Sequence, residues 1–431
     1  MVCGYAIFLW VALELQSLHS VGPDMMVVAC FCLSLSILIR LEMRPNLKAF
    51  ALLGLSLGIG YWTKAIMFPL GFVTLFVAWV WGRSSSAWTR GVALATLVFV
   101  CLSAPLVLAI SRQKGRFTFG DSGKINYAWF VSPRTPPRNW QGEEPGSGPP
   151  LHPTRRILKS PPVFEFDGPV VGTYPPWTDP SYWNEGLHQH FELKSQLRVL
   201  ARTVPMELHV LLRKRPELVF GVVLLALLAL PTWLAGIRDL WPFVLLPIAG
   251  MSLYLPLVEN DRYLGGFVLV LFLAILRAVR TPQNIGPVVR LVVLTMACLM
   301  FLSTIEHTIR ILTRQFAEGQ GPNSTLQDEI AARYLRGKKG TLSYTKVAII
   351  GDGTDAYWAR LGKLRIVAEI MGGRGEAEFL DSPEEVRKSV YQAFRETGAK
   401  LIVMSRESCQ TFKVEGWESI PGTQYYVHRL E

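Results

Sequence analysis

Nine apolar blocks divide the first 305 residues, falling at about 1–16, 24–41, 48–61, 65–82, 89–111, 217–235, 241–257, 262–279 and 286–305. A run of this kind is too long and too uniformly apolar to be one face of a water-soluble fold. About 20 apolar residues in a helix cross a bilayer. In lipid the backbone must satisfy its own hydrogen bonds, which leaves helices as the solution for runs of this length. Several blocks fall short of 20 residues, which implies tilt, kinking or partial burial. Pro69, Pro105, Pro231 and Pro247 lie inside such runs and mark expected kinks.

Composition agrees. Half of the residues are hydrophobic and only 18% are charged, against about a quarter in soluble domains. The net charge of +11 comes from basic residues between the apolar blocks and in one long loop. No Lys/Arg run interleaves with aromatics, so nucleic acid is not an expected partner. The six cysteines form no metal-binding spacing and no disulfide framework. The first block lacks the basic n-region of a signal peptide and is read as a membrane helix.

Orientation follows from the loops. With the N-terminus in the cytoplasm, the short inner loops carry Arg40, Arg44, Lys48, Arg83, Arg90, Arg238, Arg277, Arg280 and Arg290. The short outer loops then carry only Lys64 and Arg262. That asymmetry satisfies the positive-inside rule. It places the long segments 112–216 and 306–431 outside, which is the periplasm if the chain comes from a Gram-negative bacterium. Asp24, Lys64, Glu259, Asp261, Arg262 and Tyr263 collect at the same outer rim. Asp24 is the most telling of them, because it opens the apolar stretch "VGPDMMVVACFCLSLSILIRL" directly after Gly22-Pro23. Charges at membrane depth are functional candidates by default; the plainer reading is that each marks a helix end.

The fold class is therefore mainly α. A polytopic transmembrane bundle of about nine apolar segments (1–111 and 217–305) is interrupted by an extracytoplasmic cap, 112–216, rich in Pro, Gly and aromatics. A soluble α/β domain follows at 322–431. The cap is expected to be ordered, with Trp129, Trp140, Tyr174, Trp177, Tyr182 and Trp183, and to end in a helix from about Asn184 to Val204. In the tail, "NSTLQDEIAARYLRG" begins like a capping box at Ser324 and Gln327. "SPEEVRKSVYQAFRETG" suggests Ser382 as N-cap with Pro383 after it. "WESIPGTQYYVHRLE" suggests a closing hairpin. Alternating strands and helices predict a mainly parallel sheet.

Three smaller motifs carry two readings each. "GDGTDA", Gly351–Ala356, matches a dinucleotide loop, with Glu369 as the conceivable acidic partner, but serves equally as a tight strand–helix turn. His188 and His190 could hold a metal on an extended segment but diverge on a helix. Asp179 in "DPSYW" reads as a turn or helix cap.

Asp24 at a helix mouth, "LGLSLGIGYWTKAIMFPL" (Leu53–Leu70) and "ENDRYL" (Glu259–Leu264) together resemble the GT-C-fold membrane glycosyltransferases. The nearer group is the protein mannosyltransferase and lipid A aminoarabinose transferase type. The resemblance covers about 20–280. It implies transfer of a sugar from a polyprenyl-phosphate donor to an envelope acceptor at the outer face of the inner membrane. Asp24 would be the catalytic or acceptor-site carboxylate, with a divalent metal allowed beside it. Lys64, Glu259, Arg262 and Tyr263 would bind substrate near the donor phosphate. Family members begin with a further helix and an acidic first outer loop, whereas Met1 here already lies in what resembles a later helix. The resemblance therefore implies a shortened or inactive relative. A transporter or flippase for lipid-linked sugars, or an envelope assembly protein, would share this pattern without the chemistry.

Overall fold

A computed structural model describes residues 2–16, 22–132, 154–166, 190–257, 260–280, 286–317, 324–337, 344–351, 353, 356–405 and 416–430. The chain divides into two compact units. One comprises 1–133 and 191–312, the other 134–190 and 313–431.

The first unit is helical. Helix α1 (Val2–Trp10) runs on into a π-helical turn, Val11–Leu15. It is followed by α2 (Asp24–Met43), α3 (Leu47–Thr63), α4 (Met67–Gly82), α5 (Ser86–Lys114) and α6 (Ser122–Phe130). After the excursion into the second unit come α7 (Leu193–Leu212), α8 (Pro216–Asp239), α9 (Trp241–Ser252), α10 (Asp261–Arg277) and α11 (Gly286–Ala317). Four of these helices, α2, α5, α8 and most of α11, are long and apolar enough to cross a bilayer; α1 with its π turn, α3, α4 and α9 are shorter and equally apolar. Only 22% of the apolar windows of α5 and α8 is buried. Phe76, Leu97, Phe220 and Leu227 face outward. A surface this apolar is consistent with a membrane protein.

Local sequence explains the boundaries. The Asn46 side chain accepts from the Ala49 amide (2.9 Å) to start α3, and Ser85 does the same for Trp88 (3.3 Å) at α5. Gly115, in the left-handed region (φ +62°), ends α5. Small residues then let helices touch. A side chain at Gly54 would lie 2.3 Å from the Ala95 carbonyl oxygen, so α3 and α5 meet backbone to backbone. Between α2 and α3, the Ser34 and Ser56 hydroxyls hydrogen-bond at 2.9 Å. The expected kink near Pro231 is present. Ala229 leaves helical geometry (φ −136°, ψ 28°), and its carbonyl accepts from the Thr232 hydroxyl at 2.9 Å.

Of the helix expected at 184–204, residues 184–189 lie outside the described residues, and 190–192 are not helical. Helix α7 occupies Leu193–Leu212 and carries Pro205 internally.

The second unit is a three-layer α/β/α sandwich. Its strands are β1 (Thr154–Lys159), β2 (Pro162–Phe166), β3 (Lys346–Gly351), β4 (Arg365–Met371), β5 (Leu401–Ser405), β6 (Trp417–Ser419) and β7 (Tyr425–Arg429). They lie in the order β1-β2-β4-β3-β5-β7-β6. Helices α12 (Ser324–Gly337) and α13 (Tyr357–Gly362) supply Ala331, Leu335 and Trp358 to one face. Helices α14 (Arg374–Leu380) and α15 (Glu384–Glu396) supply Phe379, Val390 and Phe394 to the other.

The sheet is mixed, not mainly parallel as the sequence suggests. Among the described residues only β4-β3 and β3-β5 are parallel; the closing β6–β7 hairpin and the β1–β2 hairpin pair antiparallel. The second hairpin is the larger surprise. It comes from inside the Pro-rich cap segment, and Phe164 pairs with Glu369 to extend the sheet by two strands.

Gln327 accepts from the Gln424 amide (3.0 Å), tying α12 to the β6–β7 turn; the Ser324 side chain lies outside the described residues. One helix start differs from expectation. Ser382 donates back to the Glu378 carbonyl (2.5 Å), which leaves Pro383 as the residue before α15.

Candidate functional site

The site lies at the end of the helical unit where α2 and α10 begin and α3 and α9 finish. Asp24 is the first residue of α2, so its carboxylate sits at the positive end of that helix. Lys64 follows the last turn of α3 in extended backbone (φ −159°, ψ 136°), where a cation suits the negative helix end. The extended link throws its side chain across to α2. The ammonium Nζ donates to Asp24 Oδ1 at 2.5 Å.

Asn260 caps α10 by accepting from the Arg262 amide (3.2 Å), which puts Arg262 and Tyr263 in its first turn. Arg262 Nε then lies 3.5 Å from Asp24 Oδ2. Each carboxylate oxygen thus faces one cation, and Asp24 itself is buried. Arg262 Nη2 also donates to the Tyr263 hydroxyl (3.2 Å). The Lys64 ammonium stands 3.8 Å from the centroid of the Tyr263 ring, a close cation–π contact. Tyr254, just after α9, stacks on Tyr263 at 5.0 Å with planes 16° apart. A narrow crevice here is lined by the apolar Val27, Phe31 and Gly266 and by Asp24, Arg262 and the two tyrosines.

A second polar layer braces the first. Gln16, which ends the π-helical turn, donates to the Arg262 carbonyl at 2.7 Å. Gly265 makes room for it: a Cβ there would meet the Gln16 amide nitrogen at 2.7 Å. Asp261 is ion-paired with Lys214. Arg215, next to Lys214 in the chain, is buried and ion-paired with Glu14 of the π-helical turn. Arg215 also lies 3.5 Å from Glu217, and it donates to Ser303 Oγ (2.5 Å) and Thr304 Oγ1 (3.2 Å). Burial pulls the Arg215 guanidinium below its ordinary range, and the neighbouring Glu217 carboxylate pushes it back up. Two carboxylates and two hydroxyls around one guanidinium satisfy most of what desolvation removes.

The structure thus brings together four of the residues singled out in the sequence: Asp24, Lys64, Arg262 and Tyr263. Glu259 lies outside the described residues, as do Asp179 and His188. Asp24 is hemmed in by cations. Among the described residues no three His, Cys, Asp or Glu side chains stand together. These side chains do not fit a divalent metal. The described start of the 112–216 segment lies beside Lys64. Tyr61 donates to the Phe119 carbonyl at 2.8 Å, and Gly120 (φ +143°) packs on Ala65.

Sequence reading missed Tyr254, Gln16, Glu14, Lys214 and Arg215. Their shared signal is faint: a polar residue within a turn of an apolar block boundary. The dinucleotide reading of Gly351–Ala356 gains nothing. Helix α13 after it has six residues, and Glu369 is fully buried inside β4; residues 352, 354 and 355 of the loop lie outside the described residues.

In charge terms, Asp24 with Lys64 and Arg262 carries one net positive charge at the rim of an apolar bundle. An anion entering here would compete with Asp24 for the two cations. Compared with known protein families and curated proteins, the chain matches no family profile and no curated relative.

Proposed function

We propose that the helical unit is a GT-C-like glycosyltransferase that accepts a sugar from a polyprenyl-phosphate donor. The observation that carries this reading is the single carboxylate of Asp24 shared between Lys64 and Arg262. In this reading all nine apolar segments lie in the bacterial inner membrane, with the Asp24 end and both large polar segments outside.

The chemistry follows from the charges. The donor phosphodiester, charge minus one, displaces Asp24 from Lys64 and Arg262. The freed carboxylate then accepts the proton of the acceptor hydroxyl as its oxygen attacks the anomeric carbon. The bond from that carbon to the phosphate oxygen breaks, and its electron pair leaves with the polyprenyl phosphate. The leaving phosphate gains a second negative charge, and two cations fixed at a poorly hydrated rim are placed to stabilise it. The Tyr254–Tyr263 stack offers an aromatic wall to the C–H face of a sugar.

The test is release of polyprenyl phosphate by purified full-length chain given lipid-linked sugar and acceptor. Asp24→Asn is expected to lower turnover about 10²–10⁴-fold, the usual worth of a general base. Lys64→Ala is expected to lower it about 10²–10³-fold, as for loss of one charge-stabilising group. Donor binding without any release, equal in all three proteins, would instead mark a carrier of lipid-linked sugars.

A further inference from the structure

We propose that the cleft at the opposite end of the helical unit binds the phosphodiester headgroup of an anionic membrane lipid. Helix α2 is 20 residues long, so its far end lies about 30 Å from Asp24, one hydrocarbon thickness away. There the C-terminal ends of α2, α4, α8 and α10 surround the start of α9 and leave a cleft of about 650 Å³. That volume is typical of a small-molecule site.

Three guanidiniums line it: Arg238, Arg277 and Arg280. Glu42 and Asp239 line it too, leaving one net positive charge, which matches one phosphodiester. The two carboxylates do not quench the cations evenly. Asp239 is ion-paired with Arg280, whose backbone carbonyl is held by the Thr232 hydroxyl at 2.6 Å. Arg238 and Arg277 are exposed, and among the described residues neither has an ion-pair partner. The guanidinium fork suits a phosphate with two free oxygens.

Two further features point to a lipid in place of a soluble anion. Trp81 and Trp241 form the side of the cleft, and Trp81 is held edge-on by Trp88 (5.9 Å) and Phe243 (5.6 Å). Indoles fixed at this depth suit the glycerol and upper acyl region. The floor is Gly236 on Ala278, where a side chain at Gly236 would come within 2.1 Å of the Ala278 carbonyl oxygen. The same end also carries Arg40, Arg44 and Arg83, the sign of a face against an anionic leaflet. The inference needs only that the bundle sits in a bilayer, and stands apart from any sugar transfer.

The experiment is native mass spectrometry of the full chain in detergent. The probes are phosphatidylglycerol, phosphatidylethanolamine and inorganic phosphate. Phosphatidylglycerol should be retained over phosphatidylethanolamine, and millimolar inorganic phosphate should not displace it. Arg238→Gln with Arg277→Gln should weaken retention about thirtyfold, the combined pull of two arginines on an anionic headgroup. Arg40→Gln with Arg44→Gln, on the same end but outside the cleft, should leave it unchanged. Equal loss in that control pair would reduce the effect to general surface charge and overturn the proposal. So would undiminished retention in the cleft pair, or displacement by phosphate. Should the double variant not fold, Arg238→Gln and Arg277→Gln taken singly carry the same test, each with a smaller loss.

Discussion

Asp24 and Lys64 hydrogen-bond at 2.5 Å although 40 residues separate them in the chain. The hairpin of α2 and α3 makes this possible: one helix leaves the rim and the other returns to it. Arg262, on a helix far later in the sequence, completes the cluster from the other side of the same carboxylate. The carboxylate is thus the hub of three otherwise separate elements.

The hub position sets an order of costs. Asp24→Asn leaves two cations facing each other, whereas Lys64→Met leaves Asp24 with Arg262. The aspartate variant should lower the apparent melting midpoint in detergent more than the lysine variant. In the double variant the losses should fall short of additive by about 1–2 kcal/mol, the coupling usual for residues in direct contact. Strict additivity across the cycle would mean the pair is an accident of proximity.

How much of this was readable beforehand depends on the range of the signal. The apolar blocks are local, so helix positions were legible, even to the kink beside Pro231. The rim charges were legible because Asp24, Lys64 and Arg262 each interrupt an apolar run, and the loop-charge asymmetry assigned them to one end. Glu14 and Arg215 were not, because only folding brings the π-helical turn against the start of α8. The β1–β2 hairpin was hidden for a related reason: "RRILKSPPVFEF" sits among prolines, and its strand partner β4 lies some two hundred residues on. Parallel pairing was over-assigned because alternating strands and helices say nothing about what joins the sheet edges.

Around Arg215 the costs should be lopsided. Glu14→Gln leaves the guanidinium with Glu217, Ser303 and Thr304, and should cost about 1–3 kcal/mol, as for loss of one charged hydrogen-bond partner. Arg215→Met strands two carboxylates in a poorly hydrated place and should cost more, about 3–5 kcal/mol. Pairing Arg215→Met with Glu14→Leu should recover part of that loss. Thermal midpoints of the three variants decide it, and an Arg215→Met protein as stable as wild type would remove the bracing role.

Gly54 should tolerate nothing larger than hydrogen. Its Cβ would sit 2.3 Å from a backbone oxygen, which cannot rotate away as a side chain can. Gly54→Ala should therefore separate α3 from α5 and cost about 1–3 kcal/mol, the usual price of overpacking. Gly286→Ala, with nothing within 4 Å, is the internal control and should change the midpoint little.

The α/β unit should weaken at high pH through Tyr391. Its hydroxyl accepts from Trp417 Nε1 at 2.9 Å, and its ring stacks on His428 at 4.4 Å. Burial raises the phenol above its ordinary value, against a smaller downward pull from the Trp417 hydrogen bond and Arg387. A raised folded value means the neutral form is favoured by folding. That stability is fully present below pH about 10, the unfolded tyrosine value, and is lost as pH climbs through the higher folded value. Tyr391→Phe keeps the ring and discards the titrating proton. Melting of wild type and variant from pH 8 to 11 should therefore converge as pH rises, with wild type losing more. Parallel curves across that window would mean that Tyr391 does not titrate differently in the folded and unfolded chains.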